Sequence, residues 1–106
     1  MSDRLQGILR ELRAIYEVQY GARFARLVLF GSQARGDADP ESDIDVLVVL
    51  RDGVSVSQER ELSRKQISQL CLKYDVVITP FYVSEERYLR AESPLLQNVR
   101  EEGVAV

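Results

Sequence analysis

The sequence predicts an α/β fold: a small mixed sheet of three to four strands with flanking helices. Three observations predict it. Apolar residues recur at helical spacing over the first twenty positions. Two apolar runs of strand length flank a Gly-Ser turn and an acidic loop between Leu27 and Leu50. A third run, Tyr74 to Val83, follows a second helical stretch. At 106 residues and 12.1 kDa the chain has the size of one domain, residues 1–106. A protein of that mass exposes roughly 6,000 Å² when folded and about 17,500 Å² when unfolded, enough burial for one sheet and its helices.

Ser2 to Tyr20 reads as an amphipathic helix. Leu5, Ile8, Leu9, Leu12, Ile15 and Tyr16 fall three and four apart, with Arg4, Arg10, Glu11, Arg13 and Glu17 on the other side. Ser2 or Asp3 can cap its start, and Gly21 can stop it. Arg26 to Phe30 is a nearly continuous apolar run, as expected of a strand covered on both faces. Gly31-Ser32 breaks it, and Ser32 is placed to cap a short helix from Gln33. Asp37 to Ser42 (DADPES) is turn chemistry, with Asp37, Asp39 and Glu41 read as solvated loop charges and Pro40 barring a helix.

Ile44 to Leu50 (IDVLVVL) is the strongest strand pattern. Alternation puts Asp43, Asp45, Leu47 and Val49 on one face and Ile44, Val46, Val48 and Leu50 on the other. A turn at Arg51-Asp52-Gly53 leads to a helix up to Leu72, with Ser55 and Gln58 as a capping box and Val56, Leu62, Ile67, Leu70 and Cys71 inward. In the third strand Asp75, Val77 and Thr79 share a face, and Pro80 disturbs the ladder. Ser84 before Glu85-Glu86, and Ser93 before Pro94, read as helix starts. Gly103 ends the last helix, and Val104 to Val106 suit a short edge strand.

Composition excludes several classes of function. With no histidine, His-based acid–base catalysis, a Ser-His-Asp triad and imidazole metal sites are absent. A single cysteine, Cys71, rules out a disulfide within the chain. The net charge of −3 gives no footprint for duplex nucleic acid. No apolar run has the length of a membrane span and no signal-peptide core is seen, so a cytoplasmic protein is expected.

Asp43 and Asp45 then demand explanation. Two apart on a strand, they project from one face about 6.5–7 Å apart at the backbone. Like charges at the end of an apolar strand repel, and burying an unpaired carboxylate is costly. A divalent cation relieves both penalties, and an oxygen-only ligand set suits Mg²⁺ or Mn²⁺. Asp75, if its strand lies in register beside that of Asp45, completes a cluster of three. Gly31 lets a phosphate approach the backbone, with the Ser32 hydroxyl and Arg35 within reach of its oxygens, and Ser42 closes the loop as a further candidate for nucleotide binding. Each element has a plainer reading: solvated loop acids, an exposed strand start, an ordinary helix start.

Gly31-Ser32, ten further residues and then Asp43-Ile44-Asp45, within GSQARGDADPESDIDVLVVL, resembles the signature of the nucleotidyltransferase superfamily related to DNA polymerase beta. The string is most similar to the minimal nucleotidyltransferase (MNT) branch, and the likeness runs from the first helix to SPLLQNVREEGV. It implies a mixed-sheet core, with Gly31 and Ser32 holding the phosphates of an NTP such as ATP, and Asp43 and Asp45 ligating metal with Asp75 as the third carboxylate. The implied chemistry transfers a nucleoside monophosphate to an acceptor hydroxyl and releases pyrophosphate. Two metals about 3.5–4 Å apart would clamp the phosphate, and Asp75 could assist deprotonation of the acceptor.

Longer members carry a further domain for the acceptor, so here the acceptor is expected on another protein. MNT proteins commonly act as antitoxins to HEPN-domain ribonuclease toxins, some by transferring AMP to a toxin tyrosine. The resemblance therefore implies an antitoxin that adenylylates a HEPN partner. The alternatives are a non-catalytic antitoxin that acts by binding, and a small-molecule adenylyltransferase with its acceptor site between subunits of a homo-oligomer.

Overall fold

The computed structural model describes residues 2–36, 39 and 42–106. The expected turn residues Asp37, Pro40 and Glu41 lie outside them. The elements run α1 (Asp3–Tyr20), a 3₁₀ turn, β1 (Phe24–Phe30), α2 (Ser32–Arg35), β2 (Ile44–Leu50), α3 (Val56–Tyr74), β3 (Ile78–Ser84), α4 (Glu85–Arg90), α5 (Pro94–Glu102) and β4 (Val104–Ala105).

The four strands form one open mixed sheet in the order β3-β2-β1-β4. β1 is antiparallel to β2 and β4, while β2 and β3 are parallel and joined by the α3 crossover. Alternation along β2 builds two cores. Ile44, Val46, Val48 and Leu50 pack with Leu5, Ile8, Leu9, Leu12 and Tyr16 of α1 and with Ile67 and Leu70 of α3. Leu47 and Val49 face the other way, against Tyr88 of α4 and Leu96 and Val99 of α5. The folded surface of 6289 Å² matches the value expected from mass.

The helix ends follow the sequence signals closely. The hydroxyls of Ser2, Ser84 and Ser93 accept hydrogen bonds from the N–H groups of Leu5, Arg87 and Leu96, and Pro94 stands in the first turn of α5. Pro80 is tolerated because β3 is an edge strand. Ile44 N–H donates to Val77 O at 2.8 Å, so the even-numbered residues of β3, Pro80 among them, turn their N–H side away from β2.

Three expectations need correction. Ser32 is the first residue of α2 and makes no side-chain cap; Gly31 is the N-cap. The start of α3 is braced by Glu59, whose Oε2 accepts from Ser55 N–H at 3.3 Å, rather than by Gln58. The inward face of α3 carries Glu59, Ser63, Ile67 and Leu70, while Val56 and Leu62 are about half exposed. Of the two buried polar residues, Glu59 has partners, meeting Arg23 at 3.5 Å while its carbonyl accepts from the Tyr20 hydroxyl at 3.4 Å, whereas the Ser63 hydroxyl has no hydrogen-bond partner among the described residues.

The largest departure is at the end of α3. The helix continues to Tyr74 and closes with Asp75 in the left-handed conformation (φ 53°), the N–H groups of Asp75 and Val76 bonding back to Leu72 O and Cys71 O. That is a Schellman-type ending, and aspartate is among the few non-glycine residues that tolerate it. β3 therefore begins only at Ile78, and the expected strand start at Tyr74 moves forward by four residues. No described helix is long and apolar enough to cross a membrane.

Candidate functional site

The site lies where β1 empties into α2 and the loop returns into β2. Phe30, the last residue of β1, is the ladder partner of Asp45, so the turn after Phe30 comes back over the second residue of β2. Gly31 makes that closeness possible. Its backbone lies at φ 75°, ψ −158°, a region nearly closed to other residues. A Cβ built on it would sit 2.7 Å from Asp45 Oδ2. The glycine thus brings the main chain into contact with the acid.

Asp43 is exposed just before β2, and Asp45 is half-buried within it. Burial, and secondarily the charge of Asp43, push the Asp45 carboxyl above its ordinary range. Among the described residues neither acid has an ion-pair partner. Two unneutralised, oxygen-only ligands fit a hard divalent cation that takes its other ligands from water and substrate phosphates.

The other side of the site is built by α2. Gly31 O accepts from the N–H groups of Ala34 and Arg35, closing the turn that carries Ser32. Arg35 reaches from α2 to Glu102 of α5, Nη1 to Oε2 3.3 Å. Ser42 is occupied locally: its hydroxyl donates to Asp39 O at 2.7 Å, and its carbonyl accepts from Gln33 Nε2 at 3.1 Å. Gln33 therefore ties α2 to the residue before Asp43. Its position one residue past the Gly-Ser pair gives no hint of this, because the bond depends on how the loop returns.

The structure brings Gly31, Ser32, Asp43 and Asp45 together and leaves Asp75 out. Asp75 is exposed, and two residues separate it from the first position of β3. Among the described residues no group of three acids is close enough to hold a metal. Beside Asp45 in the parallel ladder stands Thr79. Of the residues expected to share a face, Asp75, Val77 and Thr79, only Thr79 lies within β3, and it is the one next to Asp45.

The fold that carries this glycine turn and acid pair is shared with known proteins. The nucleotidyltransferase domain profile matches residues 5–104. The chain belongs to that family. Two relatives from Methanocaldococcus jannaschii carry the provisional name protein adenylyltransferase. MJ0604 is 38% identical over 96 residues, covering 90% of each chain. MJ0141 is 36% identical over 73 residues, covering 69% of this nucleotidyltransferase and 73% of the relative. Among solved structures, a toxin–antitoxin with AMP-PNP superposes with a TM-score of 0.64 at 25% identity, covering 91% of this chain and 69% of that one. A protein provisionally described as a minimal nucleotidyltransferase gives 0.58 at 26% identity, covering 99% and 97%. The nucleotidyltransferase fold, and enzymatic membership of this family, are thereby shown.

Proposed function

We propose that this chain transfers AMP, or another nucleoside monophosphate, from an NTP to a hydroxyl of a partner protein, in a reaction that requires Mg²⁺ or Mn²⁺. The observation that carries this reading is the Asp45 carboxylate pressed against the Gly31 turn, with Asp43 beside it and no cation from the described chain to neutralise either. Asp43 and Asp45 would hold the cation, which when bound neutralises phosphate charge. The Gly31-Ser32 turn and Arg35 would orient the triphosphate. The acceptor oxygen bonds to the α-phosphorus, the α–β phosphoanhydride bond breaks, pyrophosphate leaves with its electrons, and the hydroxyl proton passes to solvent. Alignment and charge neutralisation carry most of such a transfer.

The names of the two archaeal relatives support a protein acceptor, and the likeness to a toxin–antitoxin structure supports a toxin as that acceptor, which the sequence resemblance makes a HEPN-domain toxin with this chain as its antitoxin. The test is to incubate the protein with Mg²⁺, labelled ATP and the product of the adjacent gene. Label should appear on the partner, and Asp43→Asn with Asp45→Asn should abolish both transfer and neutralisation while pairing persists. Neutralisation that survives the double substitution would show an antitoxin acting by binding. Label on no protein under any condition would remove the transfer reading.

A further inference from the structure

The sheet register fixes what lies on the third side of the acid pair. Across the open end of the sheet, Thr79, Asp45 and Phe30 form one row, each the ladder partner of the next. Paired residues in adjacent strands lie about 5 Å apart at Cα with side chains on the same face. The next row inward is Phe81, Leu47 and Val28, already apolar. The position on β3 beside Asp45 is therefore filled by a neutral hydroxyl. Asp75 is committed to the left-handed ending of α3, where the Schellman bonds hold its backbone, and its side chain is exposed.

We propose that Thr79, and not a third carboxylate, is the β3 component of this site, so that Asp43 and Asp45 alone supply charge to the cation. The proposal rests on the reading of those two acids as the cation site. A threonine hydroxyl can donate to a carboxylate or accept from a bound water but brings no charge. The protein ligands then total two negative charges, and the rest of the cation's charge is met by the triphosphate. Affinity for the free cation is weak, and the cation and nucleotide bind with strong mutual dependence.

Mn²⁺ titration of the intact protein, followed by electron paramagnetic resonance with and without a non-hydrolysable ATP analogue, tests this without turnover. Thr79→Asp should tighten Mn²⁺ binding without nucleotide by about tenfold or more, since it adds the missing charge. Asp75→Asn should leave the affinity within about twofold of the parent, because that side chain stays out of the site. Thr79→Val keeps the shape and should leave binding of free Mn²⁺ weak. The proposal is overturned if Asp75→Asn weakens Mn²⁺ binding as much as Asp45→Asn does, or if folded Thr79→Asp binds like the parent. Should Thr79→Asp fail to fold, the Asp75→Asn comparison still decides the matter. If Asp45→Asn itself leaves Mn²⁺ binding unchanged, the two-acid site is wrong and the Thr79 assignment falls with it.

Discussion

Replacing Gly31 with alanine tests the link between backbone geometry and the acid site most directly. Two effects follow from the structure, and they separate. At φ 75°, ψ −158° an L residue is strained by about 1–3 kcal/mol. In a protein of this size each kcal/mol moves the midpoint of thermal unfolding by roughly 4–8 °C, so a fall of about 4–24 °C is expected. The second effect is the contact of the new Cβ with Asp45 Oδ2 at 2.7 Å. Because the atom met is the end of a side chain, relief costs little stability, but it displaces the carboxylate from the turn. Gly36→Ala is the control: it also has positive φ (78°), with no atom of the described residues within 4 Å of its added Cβ. Calorimetry should show both variants destabilised, while titration with Mn²⁺ and an ATP analogue should show binding lost in Gly31→Ala alone. Equal binding losses in the two variants, or parent-like binding by Gly31→Ala, would refute the reasoning.

Two further substitutions probe the energetics. In Asp45→Asn the pH dependence carries the information. The folded-state pKa of Asp45 is raised above 3.8 by burial and by Asp43, so folding favours its protonated form, and stability is lost as pH rises through the folded value. The amide should therefore raise the thermal midpoint at pH 7 by a few degrees, the like-charge share alone being about 0.6 kcal/mol at 7 Å in water-like dielectric. Melts should converge with the parent below about pH 3.8, and a destabilised variant at neutral pH would contradict this. Glu59→Ala should lose about 1–3 kcal/mol in urea unfolding by stripping Ser55 N–H and Arg23 of an acceptor, whereas Glu59→Gln, which keeps an acceptor oxygen, should lose less.

Where one physical signal dominated, the sequence was readable. The three-and-four spacing of Leu5, Ile8, Leu9 and Leu12 gave α1, and the alternation of β2 gave both faces of the sheet and the side on which Asp45 stands. In α3 the pattern misled, because its buried face carries Glu59 and Ser63 and its exposed face Val56, Leu62 and Leu72. A period sought in apolar residues does not see a polar side chain whose burial depends on Arg23 and Tyr20, distant in the chain. The strand start expected at Tyr74 was misplaced for a related reason. Tyr-Asp-Val-Val reads as well for a strand start as for a helix ending, and only the Schellman bonds to Cys71 and Leu72 decide between them.

The position of Asp45 shows what this sheet gives up in stability for its site. Leu47 and Val49, on the same face and strand, are 1% and 0% exposed under α4 and α5. One step outward the helical cover ends, and the chain places a carboxylate where burial already disfavours charge, then adds Asp43 beside it. An amide or a valine at position 45 would continue the second core without that penalty. A glycine follows Phe30 where a larger residue would press on the acid, so the turn is fitted to the carboxylate as it stands. The acid pair weakens the free protein, and under the proposed function one event would relieve the charge: arrival of a cation whose remaining ligands are phosphate oxygens at the Gly31 turn. On the proposed function this is a site completed by its substrate, and stability should rise when cation and nucleotide are present together, by an amount that grows with their concentration.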